Sequence, residues 1–265
     1  MENEISYKPL IDDMVWSYSR IGAFEQCPYR WYIKYISIPK PKEKRMFFSE
    51  YGKFVHEILE KYYKKEISWG EAREIFITTY KENVPKAPNN PLFKSYFKGG
   101  CDYFRFSGNL FDYEVVDVEK YVKFNVGDIE FQGVIDLICR DEDGKLIIID
   151  HKSRALKPRS TRKKPTKTDI ELDKYLKQLY LYSIPAKEIY GEYPSKLCFN
   201  CFRTGTYIEE AFNEKKLNET IEWVNEEVDK ISNTTSFKPL PEYFKCNHLC
   251  EMQDECWMYE LSKRK

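Results

Sequence analysis

Apolar positions along this chain repeat with two periods. In Gly52–Lys65 they fall at Phe54, Val55, Ile58, Leu59 and Tyr62, and in Asn213–Ile231 at Leu217, Ile221, Val224 and Val228. Both are the one-sided stripe of an amphipathic helix. Ser17 and Ser19 are candidate N-caps for an aromatic-rich helical segment, Arg20–Tyr35. Gly70–Tyr80 and Pro91–Leu110 also read as helices. Between them and the chain's midpoint the pattern changes to β-rich runs, Val115–Val126, Ile129–Arg140 and Lys145–His151. Ser153–Thr168 interrupts with prolines at 158 and 165 and no acidic residue; Thr168 or Asp169 then caps a helix running to about Ser183. Lys196–Arg203 is a further strand. Helices, a three-stranded meander, then helix–strand–helix predict an α/β domain with a central mixed sheet flanked by helices.

The turns set which residues share a face. A three-residue loop, Glu142–Gly144, puts its glycine at the left-handed position such hairpins prefer. Asp141 then pairs with Lys145, and counting outward sets Asp136 opposite Asp150. Directly opposed residues share a face, with Cβ atoms about 5 Å apart. Lys152, two residues on, shares it too. A four-residue loop would place the aspartates on opposite faces. In the preceding hairpin, a two-residue Gly127-Asp128 turn pairs Val126 with Ile129 and, counting back, Glu119 with Asp136. Glu119 is therefore either a third acid on that face or a solvated strand residue. Asp136 lies among Val134, Ile135, Leu137 and Ile138, and Asp150 follows Ile147-Ile-Ile149. Carboxylates in such runs are costly to bury alone, and a divalent cation between them offsets much of that cost. The pair reads as a metal-dependent active site. The His151 side chain points away, but its carbonyl could reach an ion.

Composition narrows the setting. The 265 residues include 43 basic and 43 acidic side chains, so net charge alone indicates no anionic partner. The start, Met1-Glu-Asn-Glu-Ile, lacks the basic and apolar segments of a signal peptide. No apolar run approaches about 18 residues, the length that would span a bilayer. These features predict a cytoplasmic location with no membrane partner, where eight cysteines are not expected to build a disulfide framework. Three of them, Cys246, Cys250 and Cys256, fall within eleven residues, which suits a metal or an iron–sulfur cluster. Cys27 is the natural fourth ligand. His248 is its competitor and would favour zinc. Cys198 and Cys201 have C-x-x-C spacing but sit in a strand, where residues three apart face opposite sides. They, Cys101 and Cys139 read as ordinary core or surface thiols.

Six short motifs occur in one order: Cys27-Pro28, Gly52-Lys-Phe-Val-His56, Gly133-Val-Ile-Asp136, Asp150-His-Lys152, Gln178-Leu-Tyr-Leu-Tyr182 and the three terminal cysteines. In this the chain resembles the RecB-type PD-(D/E)XK nucleases. It is most similar to the iron–sulfur exonucleases among them: the CRISPR-associated Cas-four group, the nuclease domain of AddB and phage-encoded relatives. It departs in one spacing, with three residues between the first two terminal cysteines where two are common. The resemblance implies a restriction-endonuclease-like core over residues 1–265 as a single nuclease domain. Within it, a small helical lobe is closed by a [4Fe–4S] cluster on Cys27 and the 246–256 tail. It implies Mg²⁺ or Mn²⁺ bound by His56, Asp136, Asp150 and the His151 carbonyl. Lys152 is then the catalytic cation, and Gln178 and Tyr182 brace the site or touch DNA.

The segment Arg154–Lys167 carries Arg154, Lys157, Arg159, Arg162, Lys163, Lys164 and Lys167. Starting two residues after Lys152, it is expected to contact phosphates of a DNA strand and to become ordered with it. The resulting expectation is a metal-dependent DNA exonuclease acting on single strands or duplex ends, with other DNA-processing proteins as potential partners. The alternatives are a non-catalytic DNA-binding or adaptor subunit, and an interaction protein whose cysteines hold zinc.

Overall fold

A computed structural model describes residues 6–40, 42–106 and 113–259. In chain order the elements are α1 (Lys8–Asp12), α2 (Tyr18–Gln26), α3 (Pro28–Tyr35), α4 (Phe47–Tyr63), α5 (Trp69–Asn83), α6 (Asn90–Phe106), β1 (Glu114–Val126), β2 (Ile129–Arg140), β3 (Leu146–His151), α7 (Lys167–Tyr190), β4 (Lys196–Cys201), β5 (Thr206–Ala211), α8 (Glu214–Ser232) and α9 (Tyr243–His248). The expected end of the sixth helix, residues 107–110, lies outside the described residues. The chain forms two compact units, one of Met1–Met46, Lys123–Gln132 and Asn218–Lys265, the other of Phe47–Val122 and Gly133–Leu217.

The five strands form one sheet in sequence order, β1-β2-β3-β4-β5. Strands β2 and β3 are antiparallel, with Leu137 opposite Ile149 and Arg140 opposite Leu146. Asp141 N donates to the Lys145 carbonyl at 3.1 Å, and Gly144 takes φ 75°. This is the register of the three-residue loop, and its next step outward sets Asp136 against Asp150. Strand β3 pairs β4 in parallel, Asp150 opposite Phe199, with α7 as the crossover between them. A parallel strand covered on both faces is apolar throughout, and all six residues of β3 are buried. In the same unit α4, α5 and α6 build an aromatic core around Tyr51, Phe76, Tyr80 and Phe104.

Two local expectations change. The segment expected as one helix, Arg20–Tyr35, is two, broken at Cys27, which is extended at φ −165°, ψ 107°. Proline disfavours helical geometry in the residue before it and is at home in a first helical turn. Ser17 caps the first helix by accepting from Arg20 N at 3.2 Å, and Cys27 Sγ accepts from Arg30 N at 3.5 Å at the start of the second. Strand β5 was not expected. Its alternation is weak, since Glu209 and Glu210 fill two of its six positions. It forms because β4 offers an antiparallel edge across the Phe202–Gly205 turn.

The first unit brings the two ends of the chain together. Trp31 stacks on Phe237 at 5.7 Å and on Trp16 at 6.3 Å. Glu251 meets Arg30 at 2.7 Å and Lys34 at 2.9 Å, and its carbonyl accepts from Lys44 N. No helix among the described residues is long and apolar enough to cross a membrane.

Candidate active site

The candidate site is assembled around the backbone of residue 151. His151 N donates to Asp136 Oδ2 at 2.7 Å, and the His151 carbonyl lies 2.8 Å from His56 Nε2. A carbonyl only accepts, so Nε2 carries the hydrogen and Nδ1 faces the carboxylates. Glu119 Oε1 and Asp136 Oδ2 each lie 3.7 Å from that Nδ1. His56, Glu119 and Asp136 thus form a group whose potential ligand atoms all lie within 4.8 Å of one another. Glu119 reaches it from a left-handed backbone, φ 49°, inside β1. That conformation costs about 1–2 kcal/mol in a residue bearing a Cβ, and it distinguishes Glu119 from an ordinary solvated strand residue.

Asp150, 3 % exposed, turns its Oδ2 to Lys152 Nζ, 2.8 Å away, as an ion pair. Lys152 Nζ donates to Gln178 Oε1 at 2.9 Å, and Gln178 Nε2 donates to the Tyr182 hydroxyl at 3.1 Å. Gln178 and Tyr182 lie one turn apart on α7, hence on one face. A Cβ on Gly133 would fall 2.6 Å from Tyr182 Cε1. Two of the six short motifs are therefore coupled, since Gly133 leaves the space that the Tyr182 ring occupies.

The charges are unbalanced toward the acidic side. Burial, then the neighbouring Asp150, raises the Asp136 carboxyl to about 7. Burial opposes the His56 imidazolium, but Asp136 and Glu119 outweigh it and push the ring up to about 9. Burial likewise opposes the Lys152 ammonium, and Asp150 reverses the balance, so it stays charged. In the absence of a cation this cluster holds protons. Carboxylate oxygens and an imidazole nitrogen suit a hard divalent ion, with the nitrogen favouring Mn²⁺ over Mg²⁺.

Sequence reasoning did not reach the groups that hold the His151 ring. It stacks on Tyr63 at 5.6 Å and 9°, and its Nδ1 accepts from Asn200 Nδ2 at 3.0 Å. Asn200 also donates to the Tyr103 hydroxyl at 2.7 Å. Burial, then His56 and Lys152, hold the imidazole well below its usual range, so it is neutral. An asparagine within an otherwise buried strand was the available signal.

The basic segment separates into two groups. Arg159 is bound by Asp173 at 2.7 Å and Glu210 at 3.0 Å, and Arg154 by Glu171 at 2.7 Å. Asp169 accepts from Ser160 N and Thr166 N, each at 2.7 Å. These contacts tie the segment to α7 and β5. Lys157, Arg162, Lys163, Lys164 and Lys167 are exposed.

Cys27, Cys246, Cys250 and Cys256 line one pocket in the first unit, and His248 is not among its lining residues. Cys27 Sγ also accepts from Leu240 N at 3.4 Å. Cys139, Cys198 and Cys201 are buried elsewhere, and Cys101 is partly buried.

A family model of the PD-(D/E)XK nuclease superfamily matches residues 15–257. The chain belongs to that superfamily. A crystal structure of a candidate exonuclease from Eubacterium rectale superimposes with a TM-score of 0.51. It covers 96% of this chain and 91% of that one at 11% identity, which speaks for the fold alone. A crystal structure of SSO0001, 15% identical over 93% of this chain and 87% of that one, has a TM-score of 0.36 and carries no argument. No curated protein matches. The five-stranded mixed sheet of this PD-(D/E)XK nuclease is consistent with a restriction-endonuclease-like core.

Two outcomes are expected. Gly133→Ala forces the Tyr182 ring aside and frees Gln178 from Lys152. It should lower stability by about 1–3 kcal/mol, read by urea unfolding, together with nuclease activity. The second concerns pH. Folding raises Asp136 from 3.8 to about 7 and His56 from 6.5 to about 9. Protons bound there stabilise the metal-free fold below the unfolded values, and that stability is lost as pH rises through 7 and 9. In EDTA, scanning fluorimetry should show Tm falling less steeply with pH for Asp136→Asn than for the parent chain. Mn²⁺ should restore Tm of the parent at pH 8–9 and leave the variant unchanged.

Proposed function

We propose that the chain is a divalent-metal-dependent deoxyribonuclease, an exonuclease acting on single strands or duplex ends. The observation that carries this reading is the convergence of His56, Glu119, Asp136, Asp150 and Lys152 around residue 151, where α4 meets strands β1 to β3. His56, Glu119 and Asp136, with Asp150 beside them, are the groups that would hold Mg²⁺ or Mn²⁺, whereas the His151 carbonyl, expected as a further ligand, is taken by the His56 Nε2 hydrogen bond on the far side of the ring. The ion supplies Lewis acidity at the scissile phosphate. Lys152, fixed between Asp150 and Gln178, presents a permanent ammonium to the charge that develops on the phosphate oxygens. Because Asp150 keeps it protonated, its part is to orient water and neutralise charge. Gln178 and Tyr182 limit the ammonium's movement. The exposed lysines and Arg162 of the 154–167 segment are the natural contacts to the DNA backbone.

The second part of the reading is a structural [4Fe–4S] cluster on Cys27, Cys246, Cys250 and Cys256. Amide donors on Cys27 Sγ suit a cluster thiolate. Among the described residues, no three of these cysteines lie within 4.8 Å of one another, and tetrahedral zinc is the competing occupant of the pocket. Binding of the cluster would add its free energy to folding of the unit that joins the two termini.

Labelled single-stranded and duplex DNA incubated with Mn²⁺ tests the first part. Asp150→Ala and Lys152→Ala are expected to lower cleavage by about 10²–10⁴-fold. Undiminished cleavage by either defeats the assignment, and DNA binding without hydrolysis under any divalent ion favours an adaptor. Protein purified without oxygen should be brown, and Cys246→Ser should lose the colour. A colourless preparation that contains zinc overturns the cluster.

A further inference from the structure

Arg203 stands in the turn between β4 and β5. Its guanidinium carbon lies 4.8 Å from the centre of the Tyr96 ring, and its Nε donates to the Ser153 carbonyl at 2.9 Å. The backbone beneath is fixed as well. A Cβ on Gly99 of α6 would fall 2.7 Å from the Arg203 carbonyl oxygen, so the helix approaches as closely as a bare Cα allows. Unlike Arg140, Arg154 and Arg159, which pair with Glu192, Glu171 and Asp173, Arg203 has no carboxylate partner among the described residues. An aromatic face and one carbonyl hold its shape but do not neutralise it. Such a preorganised fork, with Nε engaged and both terminal nitrogens free of the protein, matches the geometry of a phosphate.

Its anchor locates it. Ser153 follows Lys152 directly and lines the same pocket as Gly52, His56 and Glu119. The guanidinium is thus tied, through one carbonyl, to the residue after the catalytic ammonium. We propose that Arg203 is a substrate-binding residue, and that its free edge grips the phosphodiester next to the one being cut. This rests on the nuclease reading for its substrate. Arg203 aligns the strand, so that the reacting phosphate meets Lys152 at a fixed spacing. It breaks no bond and moves no proton.

Binding separates this proposal from hydrolysis. Fluorescence anisotropy of a labelled single-stranded oligonucleotide in EDTA, at several salt concentrations, compares the parent chain with Arg203→Gln and Arg203→Lys. Arg203→Gln should weaken binding about tenfold or more and reduce the slope of log K against log salt by about 0.7. Arg203→Lys should keep the slope while losing part of the affinity. Oligonucleotides with one neutral methylphosphonate should reveal a single sensitive linkage for the parent chain, and Arg203→Gln should be insensitive there. In Mn²⁺ assays Arg203→Gln should raise KM and, with the strand no longer aligned on Lys152, lower kcat as well. Unchanged affinity and slope in Arg203→Gln overturn the proposal, as does a parent chain that binds no oligonucleotide or shows no sensitive linkage. If Arg203→Gln does not fold, the methylphosphonate series with the parent and Arg203→Lys decides. A parent chain that binds but never cleaves removes the nuclease reading, and the binding comparison still judges Arg203.

Discussion

Asp136, within β2, and Asp150, near the end of β3, stand opposite one another, each flanked along its strand by buried apolar residues. Two carboxylates so placed repel each other and lack the water that would screen them. Everything around them serves to offset that charge. Lys152 neutralises Asp150, the His151 amide donates to Asp136, and the His56 ring faces Asp136 and Glu119. The remaining negative charge appears as the proton affinity of Asp136 and His56. A divalent cation would displace those protons, which couples its binding to pH. The same excess that makes the metal-free site unfavourable is what gives it affinity for an ion.

Positioning depends on one residue. His151 offers its N–H, in the peptide before its Cα, to Asp136 and its carbonyl, in the peptide after it, to His56, so both orientations follow from one backbone position. The side chain of the same residue anchors that position, held by Asn200, with Tyr103 behind it, and by the face of Tyr63. A neutral, buried imidazole suits this task, because it hydrogen-bonds without adding charge beside the acids. Lys152 is restrained from the other side by Gln178, Tyr182 and the space left at Gly133. The candidate catalytic groups therefore rest on packed helix and strand, the condition under which charges can be held ready for a transition state.

The cysteine pocket obeys a different constraint. Its cysteines lie in segments far apart in the sequence, and aromatic stacking at Trp31 and Phe237 together with the Glu251 ion pairs already joins those segments. The break between α2 and α3 is part of that arrangement. It leaves Cys27 extended, with its sulfur free to accept from Arg30 N and Leu240 N. Proline after the cysteine is the cause, and the pair carries structural meaning whatever the pocket binds.

The sequence alone determined what short-range stereochemistry controls. A glycine in a three-residue loop fixed the register of Asp136 against Asp150, and period-2 spacing put Lys152 beside them. Ordered motifs were enough to indicate the family. Where local signals competed, as between a continuous helix and Cys27-Pro28, or in the glutamate-rich β5, pattern reading failed, because edge pairing and proline sterics outweigh periodicity there. Tertiary structure decided the rest. His56 meets the carbonyl of residue 151 across 95 positions of sequence, Glu119 turns inward through a left-handed residue, and Asn200, outside every motif, supports the His151 ring. Such meetings are set by how helices and sheet pack, and that packing is a property of the whole core rather than of any segment within it.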